Sequence, residues 1–490
     1  MESAVFKTLV QVESGQSKLP ARPERAVSRT YPAAPHAEED RIELQHFSPT
    51  RSSATTPRTE AAGFYVDVSR PRTPSQSDEV GTDGVGALQS VWDPYMNRFR
   101  LAACCLMNFL SGLNDSAPGA LIPFMETYYN IGYAIVSLIF IGNAIGFITA
   151  APCIDTLRAR LGRAKTLALS QILMALAYVP IVCTAPFPVI VVSFFLAGFG
   201  LSLNLAIGNV FCANLANGTT MLGLMHGSYG VGGTIGPLIA TAIVTAANQV
   251  WSRYYLLTLA FAAFNLGFAT WSFWDYEKEA GPDASLLHDS PPGTRQVSAI
   301  LAAFKSKIVL LGALFIFSYQ GAEVSISGWV ISFLISSRNG SPSAVGYVTS
   351  GFWGGITLGR FVLSPLGSKM GERSFVYACV VGATVFELLV WWVPNIMGDA
   401  VSLAIVGLLL GPVYPCAAAV FTRNLSRQEQ VSGLGIISAF GSSGGAVAPF
   451  TTGILAQAVG TFVLHPIAIG LFTVMLGCWY GISVMRKRTE

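Results

Sequence analysis

The chain has 490 residues, 52% of them hydrophobic and only 12% charged, with a mean hydropathy of +0.52 despite a long polar beginning. Apolar runs of about 20 residues recur throughout, which excludes an ordinary soluble domain and indicates a polytopic membrane protein. A formal charge of +3 is too small to imply nucleic acid.

Residues 1–97 are rich in Pro, Ser, Thr, Arg and Glu. Such a composition cannot bury enough apolar surface to offset chain entropy, so a disordered cytoplasmic tail is predicted. No continuous apolar core with a small-residue cleavage site opens the chain, so no cleavable signal peptide is expected. Helices are predicted near 99–122, 131–152, 165–184, 188–212, 223–247 and 254–274. A polar linker at 275–306 follows, carrying Pro282, Pro291, Pro292 and Gly293. Six more helices are predicted near 308–335, 343–364, 374–394, 400–421, 432–457 and 465–485, before a short tail at 486–490. The expected fold is an all-α membrane protein of twelve transmembrane helices, in two pseudo-symmetric six-helix halves at 98–274 and 307–485.

Charge placement sets the expected orientation. With the tail inside, the inner connections hold Arg158, Arg160, Arg163, Lys165, Lys369, Arg373, Arg423 and Arg427, while the outer ones hold only Arg253 and Arg338. Both termini are therefore predicted cytoplasmic. The halves also echo each other: Gly232-Gly233-Thr234-Ile235-Gly236-Pro237 in the fifth helix has the spacing of Gly444-Gly445-Ala446-Val447-Ala448-Pro449 in the eleventh.

Intramembrane polar residues are the candidates for chemistry. A carboxylate at mid-membrane costs about 2.5 to 3.5 kcal/mol even on the lenient insertion scale, so each one requires a reason. At about 100° per residue, Asn108, Ser111, Gly112, Asp115 and Gly119 form one stripe on the first helix, which must face protein or water rather than lipid. In the seventh, Tyr319, Gln320, Glu323 and Ser327 share a face, and laying Gly112 on Gly321 brings Asn114 onto Glu323. Asn114, Asp115, Tyr319, Gln320 and Glu323 are candidate solute or proton ligands. A structural hydrogen-bond role between helices is the alternative reading. Asn204 and Asn209, in the fourth helix, are five residues apart and cannot both sit centrally on one face; either could reach the cavity. Glu387 lies mid-way along the ninth helix, and His226 opens the fifth.

The loop Asp155-Thr156-Leu157-Arg158-Ala159-Arg160-Leu161-Gly162-Arg163 resembles the signature loop of the major facilitator superfamily. Gly112-Leu113-Asn114-Asp115 and the stretch from Tyr319 through Glu323 to Trp329 resemble its fucose and glucose proton symporter branch, including fungal bypass-of-stop-codon-type transporters. The resemblance implies alternating access, with Asp155, Arg158, Gly162 and Arg163 at a cytoplasmic gate; Arg360, at the inner end of the eighth helix, is by its position a gate or snorkelling residue. It places Trp329 with the solute site. It also implies a peripheral ninth helix, which gives Glu387 a structural role. One departure matters: the fucose symporter carries a carboxylate in its fourth helix, where this chain has only asparagines.

No nucleotide loop, metal-ligand spacing or nucleophile elbow is found, so no catalytic residue, metal or cofactor is expected. The expected function is secondary transport of a small organic solute, with a sugar-like cargo and proton coupling as finer expectations. Export of a lipophilic metabolite and a non-transporting sensor are the alternatives. The expected partners are the solute, the proton and the bilayer, with no obligate protein partner readable. The plasma membrane is the expected location and the vacuolar membrane the next.

Overall fold

Gly162 breaks what would otherwise be one very long helix. The computed structural model describes residues 89–279, 306–425 and 427–487. The expected tail, save its last residues, and most of the expected linker lie outside them. The helices are α1 (Asn97–Tyr129), α2 (Leu138–Val182), α3 (Phe187–Ala213), α4 (Gly218–Thr241) and α5 (Tyr254–Phe273), then α6 (Lys307–Arg338), α7 (Val348–Val362), α8 (Glu372–Trp392), α9 (Ile396–Leu410), α10 (Val413–Asn424), α11 (Arg427–Val459) and α12 (Leu464–Lys487).

Within α2, Gly162 has φ 76° and ψ 172°, a conformation that non-glycine residues rarely adopt. The chain reverses there. Gly146, before the break, packs on Phe195 and Phe199 of α3, and Gly200, one residue further on, packs on Ser170 and Met174, beyond the break. A straight helix would hold Gly146 and Met174 about 40 Å apart. The connection predicted as a loop at 155–165 is thus helical on both sides of one glycine. The tenth expected span is likewise interrupted, at Gly411 and Pro412 between α9 and α10.

Among the described residues, nine helical stretches are long and apolar enough to cross a membrane. Neither α1 nor α7 is in that set. α1 is 33 residues long but diluted by Asn108, Asn114 and Asp115, and α7 has only 15 residues.

Side-chain contacts fix which helix ends lie together. Tyr129 donates to the Ala185 carbonyl at 2.7 Å, Thr241 to the Gly346 carbonyl at 2.9 Å, and Arg338 pairs with Asp399 at 3.2 Å. These mark what we call the upper end. At the lower end Arg100 meets Glu279 at 2.8 Å and Arg423 meets Glu372 at 2.7 Å.

Small residues bring helices to backbone contact. A side-chain carbon at Gly112 would overlap the Tyr229 carbonyl of α4, and one at Gly232 the Phe109 carbonyl of α1. Gly444 of α11 meets the Phe317 carbonyl of α6 in the same way. The two Gly-Gly-x-x-x-Pro segments therefore do the same job, each seating its helix on the first helix of its own group.

Candidate solute and proton site

The polar stripe of α1 faces protein, as its cost in lipid requires. Asn108 donates to the Met225 carbonyl at 3.2 Å, and Gly119 abuts Ser327 and Gly328 of α6. Asp115 lies between them, half-buried. Its Oδ2 accepts from the Tyr229 hydroxyl at 3.0 Å and its Oδ1 from the Asn114 amide at 3.1 Å. Asn114 in turn accepts from Tyr178 at 3.1 Å. Asp115 thus holds its carboxylate with neutral dipoles from α1 and α4.

Glu323 of α6 is 7% exposed and has a cation instead. The Arg360 guanidinium of α7 reaches its Oε1 at 3.9 Å. Arg360 is also within electrostatic reach of Tyr319 and Tyr229, and the Asp115 and Glu323 charges lie close enough to interact. Edge-on against Tyr229, Trp353 has its ring centroid 5.9 Å away. On the other flank Tyr414 lies 5.9 Å from Tyr319. The Glu323 Oε2, the Tyr319 hydroxyl and the Trp353 indole N–H are all buried and make no hydrogen bond among the described residues. Buried polar atoms are normally satisfied, so three unused valences around one ion pair suit a ligand.

The remaining candidates divide. Gln320 is half-buried and faces Gly441 of α11. Trp329 donates its indole N–H to the Pro449 carbonyl at 2.8 Å, which binds α6 to α11 above the acidic groups. Asn204 is 3% exposed; its oxygen accepts from Ser170 and from Gln171 at 2.9 Å. Those bonds commit it to the packing of α3 on α2. Asn209 meets the exposed His226 ring at 3.0 Å, one helix away from Asp115.

Asp155, Arg158, Gly162 and Arg163, the expected gate residues, sit at the lower end. Asp155 pairs with Arg158 at 3.7 Å along its own helix. Glu277 accepts from the Arg163 backbone N–H at 2.7 Å, beside Gly162, and the Arg163 guanidinium stands over the Tyr276 ring at 4.5 Å. Arg360 does not join this group; its guanidinium turns inward to Glu323. Tyr229 and Trp353 carried no sequence signal beyond being aromatic in a chain with 55 such residues (Phe 30, Tyr 16, Trp 9).

The family model for the Major Facilitator Superfamily matches residues 104–339 and 322–490, and the chain belongs to that family. It is a multi-pass membrane protein, and those of its relatives whose names state an activity are transporters. It is 28% identical over 415 residues to Bypass of stop codon protein 6 of Saccharomyces cerevisiae, covering 77% of this chain and 81% of that one. It is 24% identical to the Glucose/mannose transporter GlcP of Bacillus subtilis, covering 78% of this chain and 93% of that one. Among solved structures, the D-xylose-proton symporter superimposes with a TM-score of 0.62 at 11% identity, over 78% of this chain and 96% of that one. The nucleoside transporter NupG does so with a TM-score of 0.60 at 14% identity, over 80% and 99%. These likenesses establish a shared fold.

Proposed function

We propose that the chain is a secondary transporter that moves a small organic solute by alternating access between two six-helix halves, 98–274 and 307–485, joined by a cytoplasmic linker at 275–306. The nine apolar stretches, the reversal at Gly162 within one of them, and the addition of α1 and α7 support twelve spans. Both termini are cytoplasmic, in the plasma membrane first and the vacuolar membrane next.

One observation carries this reading: Asp115 of the first half and the Glu323–Arg360 pair of the second approach one another, with unused buried valences between the halves. A sugar-like cargo suits that set. Trp353 and Tyr229 offer aromatic faces, while Glu323, Tyr319 and the indole N–H offer one acceptor and two donors for hydroxyl groups. The glucose/mannose transporter named above supports the same class.

Proton coupling follows from how Asp115 is held. Its two neutral donors stabilise the carboxylate, and a proton arriving on Oδ2 makes that oxygen a donor, so the Tyr229 hydroxyl must turn away. Tyr229 belongs to the first half and Trp353, against which it packs, to the second. Protonation is thereby felt across the boundary that alternating access must open. The present contacts between the halves at the upper end, Thr241 with Gly346 and Gly119 with Ser327, support an outward side that is closed.

Counterflow of labelled sugars and polyols in proteoliposomes tests the transport reading. Exchange of at least one such solute, abolished by Glu323→Gln, is expected. Absence of exchange for every solute tried would favour a sensor on a transporter scaffold.

A further inference from the structure

A second set of buried ionisable groups lies at the upper end of the second half, remote from the solute site. Glu323 and Arg338 are separated by about 22 Å along α6. Beyond Arg338, four helices bring together Glu387 of α8, His465 of α12, Asp399 of α9 and Arg338 itself. Glu387 and His465 are wholly buried, and Asp399 is 1% exposed. The Glu387 Oε1 is 2.7 Å from the His465 Nδ1. Both outer atoms of the pair, Glu387 Oε2 and His465 Nε2, lack a hydrogen-bond partner among the described residues. The edge of Phe333 closes the site, its ring centroid 4.2 Å from that of His465.

Arg338 and Asp399 cancel one another. The Arg338 Nε meets Asp399 Oδ2 at 3.2 Å, and its Nη2 donates to the carbonyls of Val390 at 2.7 Å and Trp391 at 3.0 Å, one turn beyond Glu387. The pair must therefore balance its own charge. With one proton fewer it is a carboxylate beside a neutral imidazole, carrying one uncompensated negative charge in an apolar shell. With that proton added, on either the imidazole or the carboxyl, it is neutral overall. Burying an uncompensated charge is expensive, and a neutral hydrogen-bonded pair is not.

We propose that Glu387 and His465 form a proton-binding site, separate from Asp115 and Glu323, through which pH at the upper face acts on the second half. The bound proton comes from water at that face and returns to it on release, taking the pair from minus one to neutral and back. A cavity of about 170 Å³, lined by Leu389, Val393, Gly398, Asp399 and Ser402, opens beside Asp399 at the edge of the cluster. Loss of the proton weakens the upper polar tie between α8 and α12, leaving the lower one, from the Trp479 indole N–H to the Arg373 carbonyl at 3.0 Å.

The test uses the full chain in vesicles. Infrared difference spectra between acid and alkaline buffer are recorded for wild type, Glu387→Gln, His465→Gln, Asp115→Asn and Glu323→Gln. A pH-responsive carboxyl or imidazole band that vanishes in Glu387→Gln, changes in His465→Gln and persists in the other two is expected. Identical spectra for wild type and Glu387→Gln would overturn the proposal. This readout needs no transported solute, so it stands or falls apart from the transport reading. Where counterflow is available, Glu387→Gln keeps the acid-side rate within about twofold and loses the wild-type alkaline decline. An unchanged pH profile in that variant counts against the site.

Discussion

Asp115 of α1 and Glu323 of α6 are both carboxylates inside membrane helices, yet they are held in opposite ways. Asp115 has two neutral donors and no cation, and it is half-buried. Glu323 has a guanidinium at 3.9 Å, an unpaired second oxygen, and is 7% exposed. A carboxylate held by dipoles can exchange them when it gains a proton, because a hydroxyl or amide can rotate. A guanidinium can only donate, so it offers no such exchange. From this difference we propose that Asp115 carries the proton and that Glu323 with Arg360 binds the solute.

The most severe way to break this division is to remove the cation. Arg360→Met leaves Glu323 buried without its partner, at a cost of about 3 kcal/mol, the lower end for a buried pair because Arg360 is a quarter exposed. We expect a clear fall in the melting temperature of the purified protein and no counterflow. Adding Glu323→Gln restores the melting temperature but not the transport. If the single variant melts like wild type, the pair is not what holds Glu323.

Asp115→Asn breaks the other side. The amide keeps the size and the bond from Tyr229 but cannot carry a proton, so uptake driven by a proton gradient should drop to simple equilibration while counterflow continues. Comparing the two assays on one preparation checks it. Continued accumulation against a gradient would remove Asp115 from coupling.

The sequence alone revealed the two carboxylates because a charge inside an apolar run is costly wherever the helix packs. It revealed the α1 stripe for the same reason. Arg360 was harder. At a helix end, a long basic side chain can snorkel outward as readily as turn inward, and only the approach of α7 to α6 decides. Tyr229 and Trp353 were invisible because nothing separates an aromatic residue in a site from dozens in lipid contact. The glycine-rich faces were legible as close contacts, and their partners were not, since spacing names a face without naming its neighbour. The break at Gly162 was read as a loop because charges cluster around it, whereas its φ lets two helices meet with almost none.

Tyr229→Phe sharpens the comparison with a smaller effect. It removes one of the two donors to Asp115, worth about 1.5 to 3 kcal/mol for a hydrogen bond to a charged group. The charged form suffers and the protonated form does not. Half-maximal gradient-driven uptake should therefore move to more alkaline pH, with counterflow near the wild-type rate. A profile displaced toward acid, or not displaced, would mean that Tyr229 serves Trp353 rather than Asp115.

Asn204 supplies the control, since it is a buried polar residue in a membrane helix whose bonds are all spent on packing. Asn204→Leu takes the Asn204 oxygen from the Gln171 amide, while Ser170 keeps the Leu167 carbonyl, and should lower stability by about 1 to 2 kcal/mol. Solute affinity, measured by half-saturation of counterflow, should stay within a few-fold of wild type. A selective loss of affinity with unchanged melting would return Asn204 to the site. The expected result separates two kinds of intramembrane polarity: groups whose valences are filled by neighbouring helices hold the halves rigid, and groups with valences to spare meet the cargo.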